Sequence, residues 1–199
     1  FIVAIRYFEA SESFKSIIAA SGPIGFLLTP LSLYCFARFR LTASHACTLI
    51  YMATALLLLG ASQSTGLLLF IGCIVLSQII NVQQGPVMLQ IFTTNYPSHN
   101  RAHYMKRPFI LSAVSAIAFG FIGGKILDNN ILDYSLLFFC MALASGIAGF
   151  AVYKIPSQIF SRAHIGNPWE SLSLIWKDRL FGSMPVSYTH LTLPTTLCV

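Results

Sequence analysis

GLLLFIGCIVLSQIINVQQGPVMLQIF, residues 66–92, decides the fold. It runs for 27 residues without a formal charge. A helix rising about 1.5 Å per residue needs about 20 mainly apolar residues to cross roughly 30 Å of hydrocarbon. Four further runs have the same character, at 14–37, 43–61, 108–126 and 136–153, and none carries a charge in its interior. A charge held there would cost several kcal/mol. The pattern predicts an all-α polytopic membrane protein.

Composition excludes the soluble classes. The 199 residues are 56% hydrophobic and 9% charged, with a mean hydropathy of +0.73, whereas soluble domains carry about a quarter charged residues. A net charge of +6 would suggest a nucleic-acid partner in a soluble chain, but its placement gives another meaning. Nine of the 12 Lys and Arg residues lie in three segments: Arg38 and Arg40; Arg101, Lys106 and Arg107; Lys154, Arg162, Lys177 and Arg179. Arg6, Lys15 and Lys125 fall on the opposite side, with Glu9, Glu12, Asp128 and Asp133. The positive-inside rule then places the three basic segments in the cytoplasm. The expected setting is a multi-pass protein of a bacterial inner membrane, surrounded by lipid and with no nucleic-acid partner.

Residues 1–8 read as the outer end of a first helix whose earlier part is missing, so 14–37 counts as the second span. The five spans with this stub form a bundle over 1–155, followed by a cytoplasmic linker at 156–179 and the start of a seventh span at 180–185. In the linker, Trp169, Leu172, Ile175 and Trp176 share one side at helical spacing. This predicts an amphipathic helix, lying either at the headgroup boundary or under the bundle. The segment VSYTHLTLPT at 186–195 matches no membrane pattern. It resembles the conceptual translation of a sequencing adapter, so 186–199 is expected to be non-native.

The fourth span is the polar one. Ser77, Asn81 and Gln84 fall within about 60° of one another at 100° per residue, with Gln78 at the margin and Gln83 and Gln90 on another face. Unpaired amides are costly in hydrocarbon. This face therefore meets water, a solute or another helix, and both interhelical hydrogen bonding and a solute-lined cavity fit. Gly85-Pro86 marks a candidate break that would free carbonyls at the same depth. Small residues stripe two other spans: Ser21, Gly25, Thr29 and Ser32 in the second, and Ser112, Ala116, Gly120 and Gly124 in the fifth. Such stripes let helix backbones approach closely, either as ordinary bundle packing or as a seam between two moving halves. The third and sixth spans read as lipid-facing or packing helices.

The five cysteines have no pairing or metal-ligand spacing, and the histidines form no H-x-x-x-H pattern. No disulfide, metal, cofactor or catalytic residue is predicted, and no phosphate-binding G-x-x-x-x-G-K-[ST] loop occurs.

Three features carry a family resemblance: the short basic loop Phe36-Ala-Arg-Phe-Arg-Leu-Thr, the second loop Asn95-Tyr-Pro-Ser-His-Asn-Arg101, and the long linker after the sixth span. In layout the chain resembles the amino-terminal half of a major facilitator superfamily transporter, truncated in helix 1 and before helix 7. The resemblance implies a six-helix N-terminal bundle in which helices 1 and 4 line a solute path, helices 2 and 5 form the interface between halves, and helices 3 and 6 lie outside. The family's G-x-x-x-D-[RK]-x-G-[RK]-[RK] loop is only partly matched: Arg38 and Arg40 supply charge, while the acid and the glycines are absent. Phe119-Gly-Phe-Ile-Gly-Gly124 is similar to the helix 5 G-P-x-x-G-G signature without its proline.

The expected function is secondary transport of a small solute by alternating access, together with a carboxy-terminal half of the same chain. The solute-pathway candidates are Ser77, Gln78, Asn81 and Gln84, and the interdomain candidates are Ser21, Gly25, Thr29, Ser112, Ala116, Gly120 and Gly124. A polytopic membrane enzyme and a non-transporting receptor or assembly subunit are the alternatives.

Overall fold

The structure is a computed structural model that describes residues 2–129 and 134–160. Seven helices follow in order: α1 (Ile2–Arg6), α2 (Glu12–Arg38), α3 (Ala43–Ser62), α4 (Leu67–Val82), α5 (Gln84–Asn95), α6 (Arg101–Asn129) and α7 (Tyr134–Tyr153). Among the described residues five helical stretches, α4 and α5 counted as one, are long and apolar enough to cross a membrane. The protein is an integral, multi-pass, all-α membrane protein.

Local chemistry sets the ends of these helices. Glu12 opens α2 and Arg38 closes it, each favourably placed against the helix dipole. At the far end Arg40 takes a left-handed φ of 52°. Its N–H bonds the Ala37 carbonyl and the Leu41 N–H bonds the Phe36 carbonyl, which is a Schellman stop. The first three N–H groups of α3 all find partners outside the helical ladder. Gln158 O takes Ala43 N–H, Ser157 Oγ takes Ser44 N–H, and Thr42 Oγ1 takes His45 N–H. A helix start is otherwise left with these donors unpaired.

The fourth span is broken, as Gly85-Pro86 suggests, but the turn falls at Gln83. Pro86 has no N–H to give the Val82 carbonyl, so the helical ladder lapses one turn ahead of the proline.

Of the two roles open to the third span, α3 takes the packing one on one side, lying against α4, α5 and α7, while Leu49, Met52 and Leu56 stay exposed on the other. Its antiparallel seam with α7 is held by hydroxyls along its whole length. Ser62 donates to the Ser135 carbonyl at 2.9 Å, Ser145 to the Tyr51 carbonyl at 2.9 Å, and Thr48 to the Gly149 carbonyl at 3.1 Å. Gly149 allows that approach, since a Cβ there would lie 3.0 Å from Tyr51 Cβ. Apolar clusters close the two ends of the bundle. One gathers Phe70, Tyr134 and Phe138 with Val3 and Ala4 of α1; the other gathers Ala46, Cys47, Val87, Ile91, Val152 and Phe160.

The second end is where the basic loops meet. Asn95 Nδ2 donates to the Pro156 carbonyl at 2.9 Å, and the Phe160 N–H to the Leu41 carbonyl at 3.0 Å. The α2–α3 loop, the end of α5 and the segment after α7 are thereby tied together. The first residues of the expected linker are thus part of the packed bundle. The helix expected around 169–181, the seventh-span start at 180–185 and the tail at 186–199 lie outside the described residues.

Helix α6 stands largely apart. Leu127 is buried and Gly123 approaches Leu137, but residues 109–122 are exposed along their length.

Candidate functional site: a polar-edged cavity at mid-span

Ser77 lies ten residues into α4 by number, about 15 Å from its start, which is near the middle of the span. Ser77, Gln78 and Asn81 line a cavity of about 310 Å³ between α2, α3, α4 and α7. Ser77 is buried and its hydroxyl donates to the Ile74 carbonyl at 2.8 Å, so its hydrogen is committed to its own helix. Gln78 and Asn81 are exposed, their carboxamides forming the open polar edge. Phe70, Ile74, Phe138 and Met141 form much of the apolar remainder.

Across the cavity from α4 stands Thr54 of α3. It is 6% exposed, and its Oγ1 has no hydrogen-bond partner. A threonine in an apolar helix ordinarily returns its hydroxyl to a carbonyl one turn back; Thr54 does not. Sequence reading passes it over, because a single threonine between Ala53 and Ala55 carries no signal of its own.

Gln84 is separated from this group. Beyond the break it lines a second cavity, of about 510 Å³, with Tyr51, Met88, Met105, Phe109 and Ser112. The angular pattern groups Gln84 with Ser77 and Asn81, but Gln84 lies one turn nearer the far end of the span and lines the second cavity instead. Gln83 is the other residue that sequence reading leaves aside. It is 6% exposed, and its Nε2 donates to the Gly25 carbonyl at 2.6 Å and to the Ile79 carbonyl at 3.2 Å. Its Oε1 accepts from Ser32 Oγ at 2.8 Å. This amide is fully employed in joining α2 to the break.

The two small-residue stripes have different surroundings. In α2, Ser21 and Gly25 are buried and Thr29 is half-buried, with Gly25 set directly against Ile79 and Val82 of α4. In α6, Ser112, Ala116 and Gly120 are exposed and Gly124 half-buried, and a Cβ at Gly120 or Gly124 would meet nothing within 4 Å. Of the loop charges, Arg38, Arg40, Lys106 and Arg107 are exposed. Arg101 is half-buried, with Nη2 reaching the Thr93 and Tyr96 carbonyls at 3.3 and 3.4 Å, where it complements the negative end of α5. Among the described residues no group of three His, Cys, Asp or Glu side chains is placed to hold a metal.

Helices of this length around a carboxamide-edged cavity define the class: a multi-pass helical membrane protein with a polar-edged recess near mid-span. No protein-family profile, curated protein or solved structure matches the chain.

Proposed function

We propose that the chain is the amino-terminal, major-facilitator-like portion of a secondary transporter in a bacterial inner membrane, which moves a small solute by alternating access. One observation carries the reading: Thr54, Ser77, Gln78 and Asn81 converge on a single cavity near mid-span, the depth at which transporters of this kind hold solute. Supporting it, the described basic residues Arg38, Arg40, Arg101, Lys106, Arg107 and Lys154 sit towards one end of the bundle, as a common cytoplasmic face requires. The exposed stripe of α6 suits a seam with a carboxy-terminal half. An enzyme would draw on ionisable groups, whereas the open edge of this cavity is made of the Gln78 and Asn81 carboxamides.

The test is water access in the full-length protein. Asn81→Cys, reconstituted in nanodiscs, is treated with methyl methanethiosulfonate, and peptide mass spectrometry reads the modified site. Only the thiolate reacts, and a thiol sealed in hydrocarbon does not ionise. Modification is expected. Asn81→Leu is expected to lower solute uptake without lowering membrane abundance. If Asn81→Cys stays unmodified while the exposed Arg40→Cys reacts, the polar residues are sealed packing and transport past them is excluded.

A further inference from the structure

The second cavity lies at the end of the bundle that carries the basic loops, where an apolar slot meets a cationic mouth. We infer that this slot between α5 and α6 holds an acyl chain of an anionic phospholipid, whose phosphate sits at Arg101 and Lys106. Its volume of about 510 Å³ falls in the range of about 300–1,000 Å³ common to small-molecule sites. From Gln84 to Phe92 the α5 wall runs about 12 Å along the helix at about 1.5 Å per residue. Met105, Pro108, Phe109 and Ser112 line the slot from α6. Counted from Arg101 they follow at steps of four, seven, eight and eleven, so the arginine heads the same helical stripe. Met88 and Met105 are unbranched and adaptable, which suits a flexible chain. Leu89 and Phe109, which also line the slot, are exposed, so it opens sideways between the two helices.

Charge and an aromatic ladder mark the mouth independently. Arg101 is half-buried and fixed by Nη2 on the Thr93 and Tyr96 carbonyls, while Lys106 and Arg107 are exposed in the second turn of α6. The described acids, Glu9, Glu12 and Asp128, lie towards the other end of the bundle. In the linker, Arg162, Lys177 and Arg179 outnumber Glu170 and Asp178, so it brings no net negative charge to meet these cations. Phe92 stacks on Tyr96 with ring centroids 5.8 Å apart, and Tyr96 on Tyr104 at 5.4 Å. Such rings settle at headgroup depth, which puts the cations beside phosphates and the slot among acyl chains. Basic pockets between spans select anionic headgroups for this reason. The slot is separate from the cavity at Ser77, and the lipid site stands whether or not solute passes there.

Photo-crosslinking of the full-length protein in nanodiscs tests this. Phosphatidylglycerol and phosphatidylcholine probes carrying the same diazirine-bearing acyl chain are compared, and peptide mass spectrometry reads the modified residues. The phosphatidylglycerol probe is expected to label 84–92 and 105–112 more heavily by about fivefold or more, the factor that one surface cation supplies. Lys106→Gln and Arg101→Gln are each expected to reduce that preference. At Gly85 an added Cβ meets nothing within 4 Å, so Gly85→Leu fills the slot from within. That variant and Ser112→Leu, at an exposed position, are expected to lower labelling in the slot and to leave it unchanged at the exposed Leu49 and Leu56 of α3. Equal labelling by the two probes, or a preference that survives both charge substitutions, overturns the phosphate's placement. Labelling that neither filling variant lowers shows attraction to the surface alone and overturns the seated chain. Labelling at Leu49 and Leu56 with none in the slot shows that another part of the protein covers it, and overturns the site.

Discussion

Gln83 donates its side-chain amide to the main-chain carbonyl of Gly25 at 2.6 Å, joining the break in the fourth span to the second. The contact is short because Gly25 has no side chain. A Cβ there would stand 3.1 Å from the Ile79 carbonyl oxygen and 3.1 Å from Val82 Cβ. Close approach and amide bond support each other: the glycine admits the backbone, and the amide anchors the turn where Pro86 interrupts the ladder.

Replacing Gln83 by Leu removes two donated bonds and the acceptor for Ser32 Oγ, while the carbonyls keep some of their helical partners. Interhelical bonds in membranes are worth about 1 kcal/mol. Gln83→Leu is therefore expected to destabilise by about 1–2 kcal/mol, read as a lower midpoint in thermal or denaturant unfolding of the reconstituted protein. An unchanged midpoint would show that the α2–α4 contact stands on packing alone.

Two glycines of α2 should answer differently to the same substitution. Gly25→Ala drives a methyl into backbone atoms of α4 that cannot swing aside, at a cost of about 1–3 kcal/mol. At Gly22 nothing lies within 4 Å of the added Cβ, so Gly22→Ala is expected to be neutral or to stabilise by up to about 1 kcal/mol. Paired melting curves check the contrast, and equal losses would remove the close approach from the account.

Much of this architecture is legible in the sequence because hydrocarbon is an unforgiving solvent. Runs free of charge mark the helices, and the stripe through Ser21 and Gly25 marks a close approach. The break is also legible through Gly85-Pro86, but its position at Gln83 is not, since a proline disturbs the turn before it. The site differs from the angular pattern accordingly: Gln84 lines the second cavity rather than the one at Ser77 and Asn81, and Gln83 is buried against α2. Thr54 is illegible for a different reason. Whether a lone hydroxyl bonds its own carbonyl or is left unmet depends on rotamer and neighbours, which periodicity does not encode. The third and sixth spans read as bland because the serines and threonine that bind them, Ser62, Ser145 and Thr48, act singly on backbone carbonyls rather than as a polar face.

Ser157 caps α3 from outside the helix. Its Oγ accepts from Ser44 N–H at 2.8 Å and from Ser44 Oγ at 2.7 Å. Ser157→Ala is expected to cost about 1 kcal/mol, the usual loss for a capping oxygen, and to speed hydrogen exchange at Ser44. Unchanged exchange there would mean that the segment after α7 is not fastened to α3.

Arg40 occupies the position after the helix stop where glycine is ordinarily found. Its φ of 52° brings Cβ against the backbone, a strain of roughly 1 kcal/mol that glycine avoids. Arg40→Gly is therefore expected to raise stability by up to about 1 kcal/mol, measured by the unfolding midpoint. Arg40→Val, branched at Cβ, is expected to lower it. Matching midpoints for the two variants would count against the left-handed stop.

Sidedness gives the broadest prediction. The ties between Asn95 and Pro156 and between Leu41 and Phe160 hold three connections at one end of the bundle, whatever the orientation in the membrane. Near that end, Arg38 closes α2 and Arg107 lies in the second turn of α6, both exposed; Ser13 is exposed near the start of α2, at the opposite end. Arg38→Cys and Arg107→Cys in the full-length protein are expected to react with an impermeant maleimide from the same side of a sealed vesicle, and Ser13→Cys from the other. Positive charge is retained in the cytoplasm during insertion, so the shared side of Arg38 and Arg107 should be the cytoplasmic one. If those two positions label from opposite sides, the bundle is wrongly assembled. If both label from outside, the packing holds and only the assignment of the cytoplasmic face is reversed.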